Sequence, residues 1–298
     1  MKKKKGPLIL TGVLVILLIV YFGLSSWNKK QDKKEEKETV KVTDLDESTI
    51  TAIKYQVAAG EMSFEKEGDT WYYSEDKDFP LKQSEPEAIV KAAAQITADR
   101  KLEDGDSLDA YGLDDPNYSI EITEEDGTVT TVSFGDSTGT DYYVTVGDTG
   151  VVYTVASSVL DDFKTELSDL AQLDEYPSIG SGNLKKKVIT ENGTTTTYDS
   201  ENEDQEEEIA AVAGGLGAVS LTKVADYSVE DADLAGYGLD EASRITVEAT
   251  YTKNEDEKTM KMYIGSEDGN GNRYVMLDGS KIVYQISDEV CKNILNQE

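Results

Sequence analysis

A short stretch rich in oxygen donors, Asp268-Gly-Asn270-Gly-Asn272, has the alternating carboxylate and amide pattern of a calcium-binding loop. It lacks the glycine and the glutamate that such loops carry at their sixth and twelfth positions. An earlier stretch, 136–141, keeps some of the same donors. A hairpin turn would explain the pattern as well. Asp268, Asn270 and Asn272 are therefore candidate calcium ligands, and no other cofactor is predicted.

Adjacent acidic residues could serve a hydrolase that works with two carboxylates. Such pairs are Asp114-Asp115, Glu124-Glu125 and Asp161-Asp162, but a chain with 60 acidic residues produces pairs by composition alone. We expect them to be solvated surface. The chain has no histidine, which removes the usual general base near neutral pH. We therefore predict no catalytic residue and no enzyme, and we rank a carboxylate-based hydrolase last among the candidate functions.

The single cysteine, Cys291, lies in an apolar stretch near the C-terminus. One cysteine excludes an intramolecular disulfide and a zinc site built from several thiolates. The position aligns with a leucine elsewhere in the chain, Leu160, so we expect a buried structural thiol rather than a nucleophile.

The clearest signal in the sequence is an internal duplication. Tyr111-Gly112-Leu113-Asp114 recurs as Tyr237-Gly238-Leu239-Asp240 with an offset of 126, Gly135 recurs as Gly265 with an offset of 130, and Tyr143 and Tyr153 recur as Tyr274 and Tyr284 with an offset of 131. This period is too long for a solenoid and suits a duplicated small domain. We expect the Tyr-Gly-Leu-Asp motif to be structural, with its glycine in a backbone conformation that other residues resist.

Charge excludes one class of partner. The first 40 residues hold nine lysines and four acidic residues, whereas the rest of the chain holds 20 basic and 56 acidic residues. An acidic body of this kind repels phosphates, so no nucleic acid partner is expected.

The N-terminal sequence predicts a membrane anchor. Four lysines precede an uncharged apolar run, and residues 8–27 are about long enough to cross a bilayer. A cleaved signal peptide is the alternative, but no Ala-x-Ala-like site follows the run. The lysine block predicts a cytoplasmic N-terminus and a single-pass protein of the cell membrane with an extracytoplasmic body.

The remaining elements predict an α+β fold, with two repeated units of antiparallel sheet packed with helices. We expect a lysine tail and anchor over 1–27, a charged stalk over 28–41, a first unit over 42–176, a linker over 177–186 and a second unit over 187–298. Alternating apolar residues and Gly-containing turns predict four strands at 119–155 and four more at 245–286. Helices are predicted at 84–98, at 157–167, at 288–295, and at 206–216, the last shortened by its glycines.

The order of these elements resembles the domain of unknown function 4340 family of bacteria. The resemblance runs from Trp71 to Phe163 and again over 237–294, and it rests on Trp71, Tyr111, Gly112, Leu113, Pro116, Gly135 and Tyr143. The second copy lacks the proline and has Ala242 or Ser243 nearby instead. The resemblance implies an envelope accessory, since members are often encoded beside ABC-type transporters and some are grouped with gliding-motility transport. It implies no catalytic residue.

These observations together predict a non-enzymatic, membrane-anchored extracytoplasmic accessory or interaction protein, with an envelope protein such as an ABC-type transporter subunit as its partner. The alternative is a calcium- or polycation-binding module of the cell wall, suggested by the acidic body and the loop at Asp268.

Overall fold

A computed structural model of the protein describes residues 40–102 and 105–297. The predicted anchor over 8–27 lies outside these residues, and so does the predicted stalk except for Val40 and Lys41. The described residues divide into two compact units. One consists of the described residues up to Glu61 together with Ala88–Lys164, and the other consists of Met62–Glu87 together with the described residues from Thr165 onwards.

The fold is mostly β-sheet, with three α-helices among the described residues. The strands are β1 (Val40–Lys41), β2 (Ile50–Val57), β3 (Gly60–Glu67), β4 (Thr70–Tyr73), β5 (Thr97–Ala98), β6 (Arg100–Leu102), β7 (Tyr118–Glu124), β8 (Val129–Ser137), β9 (Asp141–Val146), β10 (Val152–Ala156), β11 (Leu184–Glu191), β12 (Thr194–Asp199), β13 (Val224–Asp226), β14 (Ile245–Lys253), β15 (Asp256–Glu267), β16 (Asn272–Leu277) and β17 (Val283–Ser287). The helices are α1 (Ser84–Ala94), α2 (Glu206–Gly217) and α3 (Asp288–Leu295).

Each unit is built on an antiparallel sheet. In the first unit the strand order is β2-β7-β8-β9-β10-β6, and in the second unit seven strands follow the order β12-β11-β14-β15-β16-β17-β13. The duplicated sequence forms β7 to β10 in the first unit and β14 to β17 in the second. The two predicted sheet units are thus confirmed, and so are the four strands predicted at 119–155 and the four at 245–286.

One face of each sheet carries the core, because strand residues alternate in direction. In β14, Ile245, Val247, Ala249 and Tyr251 are buried while their neighbours are partly exposed. In the first unit Tyr55 packs edge-on against Phe163, with ring centroids 5.2 Å apart. Burying an aliphatic or aromatic side chain of this size contributes about 1.5 to 3 kcal/mol, which makes these faces the main source of stability.

The predicted helix over 84–98 is too long at its C-terminal end. α1 ends at Ala94, and Thr97–Ala98 form β5, which pairs with β1. The buried hydroxyl of Thr43 explains the ending, because it donates to the carbonyl of Ala93 at 2.8 Å and accepts from the amide of Ile96 at 2.8 Å. The carbonyl of Ala93 and the amide of Ile96 thereby have hydrogen-bond partners without another turn of helix.

The predicted α-helix over 157–167 is wrong. This segment forms two 3-10 turns, Ser157–Phe163 and Leu167–Leu170. Its counterpart in the second repeat, α3, is a true α-helix and is capped by Ser287, whose hydroxyl accepts from the amide of Val290 at 3.2 Å. No side chain caps the segment at 157 in this way, which leaves the first turn without that support.

The expectation that the glycines shorten the helix at 206–216 is also wrong. α2 has 12 residues and α1 has 11. Gly215 has a packing role, since a Cβ atom there would lie 2.6 Å from the amide nitrogen of Ile294 in α3. The close approach of the two helices offsets the low helix propensity of glycine.

Candidate functional site

The Asp268 loop is a tight turn closed by its own N–H groups. One carboxylate oxygen of Asp268 accepts from the amides of Asn270 at 2.7 Å and Asn272 at 3.0 Å. The other accepts from the side-chain amides of Asn272 at 2.7 Å and Gln285 at 3.0 Å. The Asn272 side-chain hydrogen bond is the largest cause that lowers the pKa of Asp268. The three candidate ligands therefore lie together, with this carboxylate occupied by nitrogen donors.

The acidic pairs lie on the surface. Asp114, Asp115, Asp161 and Asp162 are exposed, while Glu124 is partly buried and accepts from the hydroxyl of Thr49 at 3.0 Å. In the described part of the chain, no group of three or more histidine, cysteine or acidic residues is placed to hold a metal ion.

Cys291 lies in the core of the second unit and has no exposed surface. Burial raises the pKa of its thiol to about 12. The thiol is therefore protonated at neutral pH, as expected for a structural cysteine.

The repeated Tyr-Gly-Leu-Asp motif forms the same turn in both units. Gly112 and Gly238 follow a short 3-10 turn with φ angles of 66° in the left-handed region, and Leu113 and Leu239 are buried. Each turn packs on a bulge in the neighbouring sheet, where the register shifts beside Gly135 in β8 and beside Gly265 in β15. The glycine and the leucine of the motif thus have a structural role in both units.

The same turn presents a pair of tyrosine rings in each repeat. Tyr111 contacts Tyr143 with ring centroids 4.7 Å apart, and Tyr237 contacts Tyr274 at 5.0 Å. All four side chains are partly exposed. The Tyr237 hydroxyl donates to Asp226 at 2.9 Å, and burial, followed by this hydrogen bond, raises the pKa of Tyr237 to about 12. We call these the paired tyrosines.

A lysine missed by the sequence analysis lies inside the second unit. Lys187 in β11 has no exposed surface, and its Nζ has no hydrogen-bond partner among the described residues. The amine lies 5.0 Å from the ring centroid of Tyr198, its cross-strand neighbour in β12. Burial lowers the pKa of Lys187 to about 7. One indication of this burial is present in the sequence. Lys187 stands two residues before the apolar Ile189, and residues two apart in a strand lie on the same face of the sheet.

A trough of about 320 Å³ lies between the β11–β12 hairpin and the end of α3, and Tyr198, the cross-strand neighbour of Lys187, is one of its lining residues. Its walls combine Ile189, Tyr198 and Leu295 with polar side chains that include Thr194 and Thr196. Most of the lining residues are polar, and they also include Glu191, Asn192 and Gln297.

Comparison with known proteins identifies the family. The model of a domain of unknown function, DUF4340, matches residues 71–215 and again residues 202–297. The chain belongs to the DUF4340 family. No curated protein and no solved structure matches this DUF4340 chain.

The two family matches correspond to the duplication. The first DUF4340 match contains Tyr111, Gly135 and Tyr143, and the second contains Tyr237 and Gly265. Each match thus includes one turn-on-bulge contact and one pair of tyrosines. Within 40–102 and 105–297, no helix has the length and hydropathy needed to cross a bilayer.

Proposed function

We propose that this DUF4340 protein is a non-enzymatic interaction protein, anchored in the cell membrane by residues 8–27, with its two repeats outside the cytoplasm. The observation that carries the proposal is the recurrence of the paired tyrosines at one place in both repeats. Tyrosines that remain partly exposed are favoured at protein interfaces, because they offer a large amphipathic contact area at a low cost in side-chain entropy.

Acidic residues close to these tyrosines in the sequence support a basic partner. The first pair is accompanied in sequence by the exposed Asp109, Asp114 and Asp136, and the second by Asp226 and the exposed Asp233. Tyrosine pairs with acidic residues close to them in sequence favour a surface that presents arginine, which can stack on a ring and pair with a carboxylate. We propose such a face on a subunit of an ABC-type transporter, the class of partner that the family resemblance implies.

Crosslinking of the full-length protein in its native membrane, followed by mass spectrometry of the captured proteins, tests this function. We expect recovery of transporter subunits. A double variant, Tyr143→Ala with Tyr274→Ala, should lose that capture, since it removes one ring from each pair. A matched control, Tyr72→Ala, removes a partly exposed tyrosine outside the pairs and should retain it.

Two results would count against the proposal. Equal capture by the wild type and the double variant would show that the paired tyrosines are not the contact. Recovery of wall material alone would favour the alternative, a polycation- or calcium-binding module of the cell wall.

A further inference from the structure

The environment of Lys187 is apolar on the sides that the structure describes. Its neighbours on the sheet are Tyr198 in β12 and Ala249 in β14, and α2 packs on β11 and β12 with the buried Val212 and Leu216. An ammonium group without a partner is costly in such a place. The fold therefore tolerates this lysine mainly in its neutral form.

No described charge compensates for this burial. Lys187 forms no ion pair with any carboxylate in the described part of the chain, and burial is the cause of its low pKa. The titratable groups on the neighbouring strands are Tyr198 and Asp199 in β12 and Glu248, Tyr251 and Lys253 in β14, and α2 begins with Glu206, Glu207 and Glu208. None of these carboxylates forms an ion pair with Lys187, and the thiol of Cys291 belongs to the same core as Tyr198. A neutral amine in apolar surroundings is a nucleophile near neutral pH.

The trough lies on the same face of the β11–β12 hairpin as Lys187, although Lys187 itself is not among its lining residues. Cross-strand pairs on this face follow one another as Glu191 with Thr194, Ile189 with Thr196, and Lys187 with Tyr198. The first two pairs line the trough, and so does Tyr198. Lys187 therefore belongs to the next row inward.

Tyr198 is the barrier between the trough and the amine. Its ring lies both on the wall of the trough and 5.0 Å from Nζ of Lys187. Its hydroxyl accepts a long hydrogen bond, 3.3 Å, from the side-chain amide of Asn296. A bond of this length is weak. β12 is also the edge strand of its sheet, so only β11 holds Tyr198 through backbone pairing.

We propose that the trough binds a small neutral aldehyde or ketone, which Lys187 captures reversibly as an imine. The amine nitrogen adds to the carbonyl carbon and one of its protons moves to the oxygen, which gives a carbinolamine. The hydroxyl then leaves as water with the second amine proton as the carbon–nitrogen double bond forms. Addition of water reverses the capture. An anion is disfavoured by the acidic body and by Glu191 in the wall of the trough, whereas the threonine hydroxyls can hydrogen-bond to an uncharged carbonyl compound whose alkyl part contacts Ile189 and Leu295. This covalent binding is independent of the proposed transporter contact.

Reductive trapping tests the proposal on the full-length protein. Propanal with cyanoborohydride at pH 7 should propylate Lys187 at least ten times faster than Lys186, as measured by peptide mass spectrometry. Lys186 is an internal control, because it is the preceding residue of the same strand and is exposed. An unmodified Lys187 in samples where Lys186 has reacted would overturn the proposal.

A pair of variants tests the route. Thr196→Trp fills the trough, whereas Thr197→Trp places the same ring on the opposite face of β12. We expect the first change to slow the labelling of Lys187 at least tenfold and the second to leave it unchanged. Equal labelling rates in the two variants would show that carbonyl compounds do not reach the amine through the trough.

Discussion

Gly135 lies so close to the carbonyl oxygen of Tyr111 that a Cβ atom on Gly135 would stand 2.2 Å from that oxygen. The second repeat reproduces this relationship between Gly265 and Tyr237, also at 2.2 Å. Such a distance lies far inside van der Waals contact, and the atom approached belongs to the backbone. The duplicated sequence thus preserves a contact between a turn and a bulge that only glycine permits.

Gly265→Ala should destabilise the protein by about 3 kcal/mol or more, because overpacking against backbone usually costs about 1 to 3 kcal/mol and here neither side can rotate away. Gly236→Ala is the matched control, since a Cβ there has nothing within 4 Å. Chemical denaturation of the two variants measures the difference. Similar midpoints for both would show that the bulge accommodates a methyl group.

Tyr284→Phe should cost about 1 to 2 kcal/mol, the usual effect of leaving a polar group without its hydrogen-bond partner. The buried Tyr284 hydroxyl accepts from the amide of Asp174 at 2.9 Å and donates to its carboxylate at 3.0 Å. Tyr153→Phe, at the equivalent position of the first repeat, should change the free energy of unfolding by less than about 0.5 kcal/mol. Thermal melts of both variants test this contrast, and an equal loss in both would contradict it.

The stability of the wild type should rise with pH above 7 because of Lys187. Burial lowers the pKa of Lys187 to about 7, whereas an unfolded lysine titrates near pH 10.4. Between these values the unfolded state binds more protons, so the free energy of unfolding increases with pH, and the full penalty is present below pH 7.

Lys187→Met should remove this pH dependence. At pH 6.5 the variant should be more stable than the wild type by up to about 5 kcal/mol, and the difference should narrow towards pH 9. Lys186→Met, which changes an exposed lysine of the same strand, should leave the slope as it is in the wild type. Denaturation curves from pH 6.5 to 9 measure the free energy of unfolding of the wild type and the two variants. Parallel slopes for the wild type and Lys187→Met would show that the amine titrates normally.

Millimolar calcium should leave the melting temperature of the protein unchanged. The carboxylate of Asp268 already accepts four hydrogen bonds from N–H groups, which a cation would have to displace. Differential scanning calorimetry with and without calcium measures this. A rise in melting temperature that Asp268→Asn abolishes would instead support the calcium-binding alternative.

The sheets were predictable because their signals are local. Alternation in 245–253 and the turn at Asn192-Gly193, where both φ angles are positive, determine strands and hairpins from neighbouring residues alone. The duplication then assigned the same order of elements to both repeats. The helical prediction at 157–167 failed because this segment lacks the side-chain cap that Ser287 provides for α3, and it forms two 3-10 turns instead.

The contacts that were missed depend on residues distant in sequence. Thr43 ends α1 from about 50 positions away, and no pattern within 84–98 announces it. Lys187 is the last of three consecutive lysines, and the first two are exposed. An irregularity in strand register between Leu184 and Lys186 places Lys187 on the buried face of β11. This face is covered there by α2, which packs on β11. A candidate ligand loop can be recognised from the sequence, whereas the complete burial of an amine can be recognised only from the assembled sheet and the helix that covers it.

Because Cys291 is buried, the described surface has no cysteine that a thiol reagent can reach. The chain has no second cysteine, and a thiol with its pKa raised to about 12 and no exposed area offers neither thiolate nor access at neutral pH. A cysteine introduced beside either tyrosine pair would therefore be the one site that a maleimide probe modifies, without any change to the native core. Each repeat can in this way carry its own label.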